Sequence, residues 1–429
     1  MFGFANFLLL ALFAAAVFDL IFALARGGGL RGALHGLWNT PHLLFGQQLA
    51  EWRLQLGRIL FAAGLAAYEI SVVFCNSMAR QNWAWVQGVM SPVLEWLAFL
   101  CFGAKILFGT RYTWRELLAG GALYFIARWV YFNSQNIWWI GIVVAVLAAK
   151  DVPLRRPLQV YFASGCAAMA VVLALHFAGI VAPDLTSERM GALRGTYGYG
   201  HPNTFGGLVF GLVLAYALLR AQKVRWVDCL LVFAVGVFLL VGPASRSAAL
   251  CTLALAVGLV FCRLRAEHSV PRWWPGTCAG MVGLTAAVSY LLPLLVIKVG
   301  PWNNDIGPAW LAKLDSLLTC RISLTWMAYR LLDVKIAGQV FNWPTVDNSF
   351  AFALFQFGPV VAALLGILFA AALLGHAKQG RRVEVCCLFA MLAYAYMEVQ
   401  PFHLTTNPTA LLLCGAVFAQ TSARWQKIE

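Results

Sequence analysis

Long apolar runs alternate along this chain of 429 residues with short polar segments that are mostly basic. Each run, at about 17–25 residues, is long enough to cross a hydrocarbon layer of about 30 Å as a helix. Turn and charge signals divide them into predicted spans over 4–23, 59–75, 91–108, 117–132, 137–149, 158–181, 204–221, 227–242, 246–262, 275–297, 350–375, 383–397 and 404–420. Barrel strands would need a short alternating pattern, which the runs lack, and unpaired backbone groups are intolerable in lipid, so the spans are predicted to be helices. The expectation is an all-α polytopic membrane protein of about 12–13 transmembrane helices. The segment 32–50 has the character of an interfacial helix. Phe4 to Ala23 lacks a basic leader and a cleavage site, so it reads as a helix rather than a signal peptide. With no internal repeat or linker, a single integral membrane domain over 1–429 is the simplest count.

Composition removes the soluble alternative. Hydrophobic residues make up 62% of the chain and charged residues 11%, against roughly 45–50% and about 25% in soluble domains; the mean hydropathy is +0.77. The net charge of +14 would suit nucleic acid, but the basic residues lie in short clusters between apolar runs. These are Arg26 to Arg58, Arg111 to Arg115, Lys150 to Arg156, Lys223 to Arg225, Arg263 to Arg272, Lys378 to Arg382, and the tail with Arg424 and Lys427. All fall on one side of an alternating count, the side expected to face the cytoplasm, with the C-terminus inside and the N-terminus outside. No nucleic-acid partner is expected. The eleven cysteines show no CxxC pairing, and Cys166, Cys229, Cys251 and Cys262 fall inside apolar runs as small packing residues.

With that topology, two long loops lie outside the cytoplasm, over 182–203 and 298–349. In the second, Leu311, Leu314, Leu318, Ile322 and Met327 recur at near-helical spacing and predict one or two short helices over the membrane. The positive-inside rule makes the outward arginines exceptions: Arg194, Arg246, Arg321 and Arg330, with Arg128 near the outer end of the fourth span. An arginine fork matches phosphate bidentately and cannot lose its proton; the ordinary alternative is a headgroup contact or loop salt bridge. In RGTYGYGHPNTFGG, Pro202 fixes a helix entry, Asn203 can cap that helix, and His201 is a candidate proton carrier or merely part of a loop-to-helix corner. Asp347 in TVDNSF, beside Asn348, is a candidate general base or a helix cap. Glu398, His403 and Asn407 can complete a polar cluster at the last outer turn. The chain has no HExxH, no Cys/His ligand spacing, no DxD-like carboxylate pair and no GxxxxGKS/T loop, so no metal and no cofactor is expected.

Four pieces in order, RGTYGYGHPNTFG, GPASRSAAL, LDSLLTCRISLTW and TVDNSFAFALFQFG, resemble the bacterial Wzy-type polysaccharide polymerases, relatives of the O-antigen ligases in the integral-membrane GT-C group. The resemblance covers Arg194 to Gly358. It implies a GT-C-like fold in the bacterial cytoplasmic membrane and a metal-independent inverting glycosyl transfer on its outer face. Donor and acceptor would be glycans linked through pyrophosphate to undecaprenol, with a chain-length regulator as a possible protein partner. By that analogy Arg194, Arg246 and Arg321 hold the pyrophosphate. Asp347-Asn348 stands where ligases of the group often carry His-Asn, which favours polymerase and leaves Asp347 and His201 as candidate bases. Arg128, Asn203, Asn348, Glu398 and His403 are candidate substrate-binding residues. Two other functions stay open: a ligase that moves finished glycan to a lipid or protein acceptor, and a flippase that makes no bond. A flippase is expected to show pseudo-repeated halves and deep charges around a cavity, whereas Asp19, Glu69 and Glu95 are scattered.

Overall fold

A computed structural model describes residues 2–26, 29–45, 51–181, 187–189, 192–265, 271–297 and 306–418. Parts of both long loops (182–186, 190–191 and 298–305), part of the Arg263 to Arg272 loop, and the tail with Arg424 and Lys427 lie outside the described residues. Among those described, eight helices are long and apolar enough to cross a membrane: Gly3–Ala25, Glu51–Cys75, Val86–Phe108, Arg155–Phe177, Pro202–Leu219, Arg246–Leu264, Trp274–Leu295 and Pro359–Lys378. Ile137–Ala148, Trp226–Val241 and Pro408–Val417 are apolar but shorter. The chain is a helical, multi-pass membrane protein.

Two expected spans are broken rather than continuous. The 350–375 run divides at Gly358, whose φ of +88° places it in the left-handed region; a widened turn over Ala353–Phe357 precedes it and Pro359 starts the next helix. A β-carbon at Gly358 would lie 2.1 Å from the Ile336 carbonyl oxygen, so only glycine lets the chain around Ile336 pass there. The 404–420 run, preceded by a tight turn at Gln400–Phe402, is tightly wound over Pro408–Leu413 and forms a single helical turn, Cys414–Val417; 419–420 lie outside the described residues. Pro401 and Pro408 cannot supply helical N–H donors, and Asn407 Nδ2 instead bonds the Pro401 carbonyl at 2.9 Å. The amphipathic stretch forms two helices, Ala309–Leu317 and Arg321–Leu331. Leu311 and Ile322 enter a buried cluster with Val296 and Ile306, against which Leu314 and Leu318 pack. Of the segment 32–50 expected as an interfacial helix, 32–39 is helical as the end of Gly29–Asn39, His42–Leu43 is a short strand, and 46–50 lie outside the described residues.

The described chain forms two compact units. The first takes the described residues within 1–128, 140–181 and 410–418. In it Glu51–Cys75 packs on Ser91–Phe108 and Arg155–Phe177. The loops after two of its helices enclose an ion network that includes Lys105, a buried lysine inside the predicted 91–108 span that the charge pattern did not single out. Lys105 Nζ donates to Thr110 Oγ1 at 2.7 Å and to the Lys150 carbonyl, and Lys150 Nζ lies 3.2 Å from Glu116.

The second unit comprises 129–139 and 184–409. Its centre is formed by Pro202–Leu219, Arg246–Leu264 and Arg382–Met397, each packed on the other two, while Trp274–Leu291 packs on Pro359–Lys378. Lipid is as apolar as the side chains, so helices associate through close fit rather than burial from water. Small residues supply that fit: Gly206 faces Ser245 and Ala248, Gly236 faces Leu253, and Gly258 faces Cys386. A β-carbon at Gly206 would lie 2.3 Å from Ser245 Oγ and 2.6 Å from Ser245 Cβ, whereas one at Gly283 meets nothing within 4 Å. Gly206→Ala is therefore expected to lower stability by about 1–3 kcal/mol. Gly283→Ala is expected to be neutral or slightly stabilising, and thermal unfolding of the two variants in the same detergent compares them.

Candidate functional site

Three helix starts and one helix end meet at one end of the second unit. The first start is built by the glycine-rich segment. Ala192–Arg194 pairs with Ser187–Arg189 as a short antiparallel hairpin, which delivers Arg194. Tyr197 and Gly198 follow with φ of 51° and 80°, and Tyr197 stacks on Phe205 at 5.0 Å. His201 is extended, and its Nδ1 accepts the Asn203 N–H at 3.1 Å. The cap of this helix is therefore His201, not Asn203 as the residue pattern predicts. The Asn203 side chain instead bridges two charged residues. Its Oδ1 accepts from Arg194 Nη2 at 2.9 Å while its Nδ2 donates to Glu398 Oε1 at 3.0 Å.

The second start is GPASRSAAL. Ala244 has φ 49° and its carbonyl accepts from Arg194 at 3.3 Å; Ser247 Oγ donates to Glu398 Oε1 at 2.8 Å. Arg246, the first residue of the helix, is exposed. The third start belongs to Arg321, and its architect is a residue that pattern reading missed. Asp315, 2% exposed, accepts the Ile322 and Ser323 N–H groups at 2.8 and 3.1 Å and the Ser323 hydroxyl at 2.8 Å. Its carboxylate caps the helix from the preceding one, across two left-handed residues, Thr319 and Cys320. Asp followed by an apolar run is a visible signal, but the intervening TC turn hides which helix it serves.

Arg321 spends its donors inside the protein. Nη2 donates to Glu398 Oε1 at 2.6 Å, Nη1 to the Leu318 carbonyl at 2.8 Å and Nε to the carbonyl of Met397, the last helical residue of Arg382–Met397. Arg321 and Glu398 are 7% and 4% exposed. Burial lifts the Glu398 carboxyl to about 7, with Asp347 adding to the lift, against the opposing pull of Arg321 and the Ser247 hydrogen bond. Glu398, one residue past its helix, is thus the point at which the other elements converge.

TVDNSF approaches the same group. Asn348, rather than Asp347, caps the next helix by accepting the Phe350 and Ala351 N–H groups at 2.9 and 3.1 Å, and it donates to Ser289 at 3.1 Å. Ser349 Oγ donates to the Glu398 carbonyl at 2.5 Å. Asp347 is half-buried, and its charge is felt by Glu398.

The remaining candidates lie elsewhere. His403 packs its ring on Trp138 at 4.0 Å, and burial lowers it to about 4, so it is a neutral imidazole. Arg330 is exposed, 5.3 Å over the Trp326 ring. Arg128 belongs to the first unit, where its Nε donates to Asn6 at 2.8 Å. Among the described residues, no group of three His, Cys, Asp or Glu side chains is placed to hold a metal ion.

The arrangement is suited to anions: guanidinium groups lie among helix N-termini, which carry partial positive charge. Compared with known proteins, the chain matches no family model, no curated protein and no solved structure.

Removing one member of a buried ion pair leaves an uncompensated charge, at a cost of about 3–5 kcal/mol. Arg321→Ala is expected to show that loss in thermal unfolding, and the double variant Arg321→Ala/Glu398→Gln to recover part of it. Additive single losses would show that the pair is not coupled. Asp315→Ala is expected to lose about 1–2 kcal/mol through the missing cap.

Proposed function

We propose that this chain is a glycosyltransferase of lipid-linked glycans that joins undecaprenyl-pyrophosphate-linked oligosaccharide repeat units on the outer face of the bacterial cytoplasmic membrane. The observation that carries this reading is the Arg194–Asn203–Glu398–Arg321 chain of hydrogen bonds, set at the start of the Arg246 helix. With Ser247 and Ser349, which also bond Glu398, it brings in residues from all four sequence pieces that resemble the polymerases. Such a site suits a pyrophosphate diester whose polyprenyl tail stays in lipid.

In the proposed reaction a sugar hydroxyl of the acceptor attacks the anomeric carbon of the donor glycan. The new C–O bond forms as the bond from that carbon to the pyrophosphate oxygen breaks. Undecaprenyl pyrophosphate leaves with the electron pair, and the hydroxyl proton passes to a base. Arg321, Arg194 and the exposed Arg246 stabilise the negative leaving group. Asp347 is the base we favour. It is half-buried and sits one residue before the Asn348 cap, near Glu398. His201 is less suited, because an imidazole whose Nδ1 accepts a cap hydrogen bond carries its proton on Nε2 and has no lone pair there for another.

Reconstitution with a lipid-linked repeat unit tests the reading: a ladder of products is expected. A single transfer onto a different acceptor would make the protein a ligase, and no new bond would make it a carrier. Arg321→Lys keeps the charge but loses the fork, and it is expected to slow chain extension by about 10²–10³-fold. Arg246→Ala should shorten or abolish the ladder. Asp347→Asn should stop transfer with donor binding retained; if Asp347→Asn turns over normally and His201→Ala does not, the base is His201.

A further inference from the structure

Glu398 occupies the position that an anionic ligand of Arg321 would need. Its Oε1 receives Arg321 Nη2 at 2.6 Å, Ser247 Oγ at 2.8 Å and Asn203 Nδ2 at 3.0 Å. The other Arg321 contacts go to the Leu318 and Met397 carbonyls and, at 3.5 Å, to Ser247. A phosphate therefore competes with the protein's own carboxylate.

The pair is buried and neutral, and a second carboxylate, Asp347, stands near it. An added anion must then lie beside like charges in a poorly solvated place, which is costly. Swinging the Glu398 side chain away would relieve the repulsion but strip Oε1 of its three donors, and the main chain cannot follow it, because its N–H bonds the Tyr394 carbonyl at 2.9 Å and its carbonyl accepts the Ser349 hydroxyl at 2.5 Å. Neutralising the carboxyl in place removes the repulsion while Oε1 goes on accepting from Ser247 and Asn203.

Building on the anion-binding part of the function proposed above, we infer that occupation of Arg321 by a pyrophosphate diester is coupled to the uptake of one proton by Glu398, which changes from counter-ion to neutral neighbour. Loss of that proton restores the ion pair and expels the anion, so the same group that admits the donor also helps release the polyprenyl pyrophosphate product. Besides Arg321 and Asp347, the titratable groups that act on Glu398 or feel its charge are Tyr394 on its own helix and Cys251 on the Arg246 helix, while Arg194 reaches it through Asn203. The raised Glu398 carboxyl, at about 7, makes the proton available near neutral pH.

The decisive experiment uses the full chain in lipid nanodiscs and a soluble P1,P2-dialkyl pyrophosphate, whose own charge is constant across the range. Wild-type affinity is expected to weaken by about tenfold per pH unit above about pH 7, and calorimetry in buffers of different ionisation enthalpy should find about one proton taken up per probe bound at about pH 8. Glu398→Gln should bind at about pH 8 as tightly as wild type does at about pH 6, with no pH slope; Arg321→Ala should lose the probe at both. A pH-independent wild type with no proton uptake overturns the coupling but leaves the anion site standing, as does an unchanged pH slope in Glu398→Gln. No probe binding by wild type at either pH overturns both. The proton count needs no variant, so it decides the matter even if Glu398→Gln does not fold.

Discussion

A guanidinium buried at the end of a helix bundle must find a counter-charge and satisfy its N–H groups, and Arg321 does both through one neighbourhood. Glu398 supplies the charge, while the carbonyls of Leu318 and Met397 take two of the remaining donors. One end of the second unit is arranged around that requirement. The Arg382–Met397 helix stops where its last carbonyl is used by Arg321, the Arg246 helix begins where Ser247 can reach Glu398, and the Pro202 helix enters so that Asn203 bridges to Arg194.

Such a cluster is a poor device for stability alone, since an apolar replacement of a buried ion pair is often neutral or better. What it provides is charge placed by rigid elements. Helix N-termini concentrate positive potential, Asp315 fixes the first turn that carries Arg321, and Gly206 allows the close approach that keeps two helix starts in register. The exposed Arg246 and half-buried Asp347 stand at the edge of this framework.

Local signals are legible where one residue type has one dominant use. The apolar runs mark the long helices, and the two short helices Ala309–Leu317 and Arg321–Leu331 follow from the spacing of Leu311, Leu314, Leu318 and Ile322. Caps are less legible. His201, Asn203, Asp347 and Asn348 are all competent acceptors, and a shift of one or two residues decides which one faces the backbone N–H groups. In both helices a different residue caps from the one expected, His201 in place of Asn203 and Asn348 in place of Asp347. The 350–375 and 404–420 runs mislead for a related reason: hydropathy records apolarity but not the left-handed Gly358 or the prolines that interrupt the backbone.

By itself the sequence determined the solvent of this protein and its helical class, because lipid imposes length and apolarity residue by residue. It also supplied the names Arg194, Arg321 and Glu398, though Glu398 entered only as a minor member of a loose cluster. Only the tertiary structure decided that Glu398 is the common partner, that Arg321 is engaged while Arg246 is exposed, and that Arg128 and His403 belong to other surroundings. Ion pairing acts over a few ångströms between residues here 77 positions apart. Such a meeting depends on where helices end in space, which no local pattern of residues encodes.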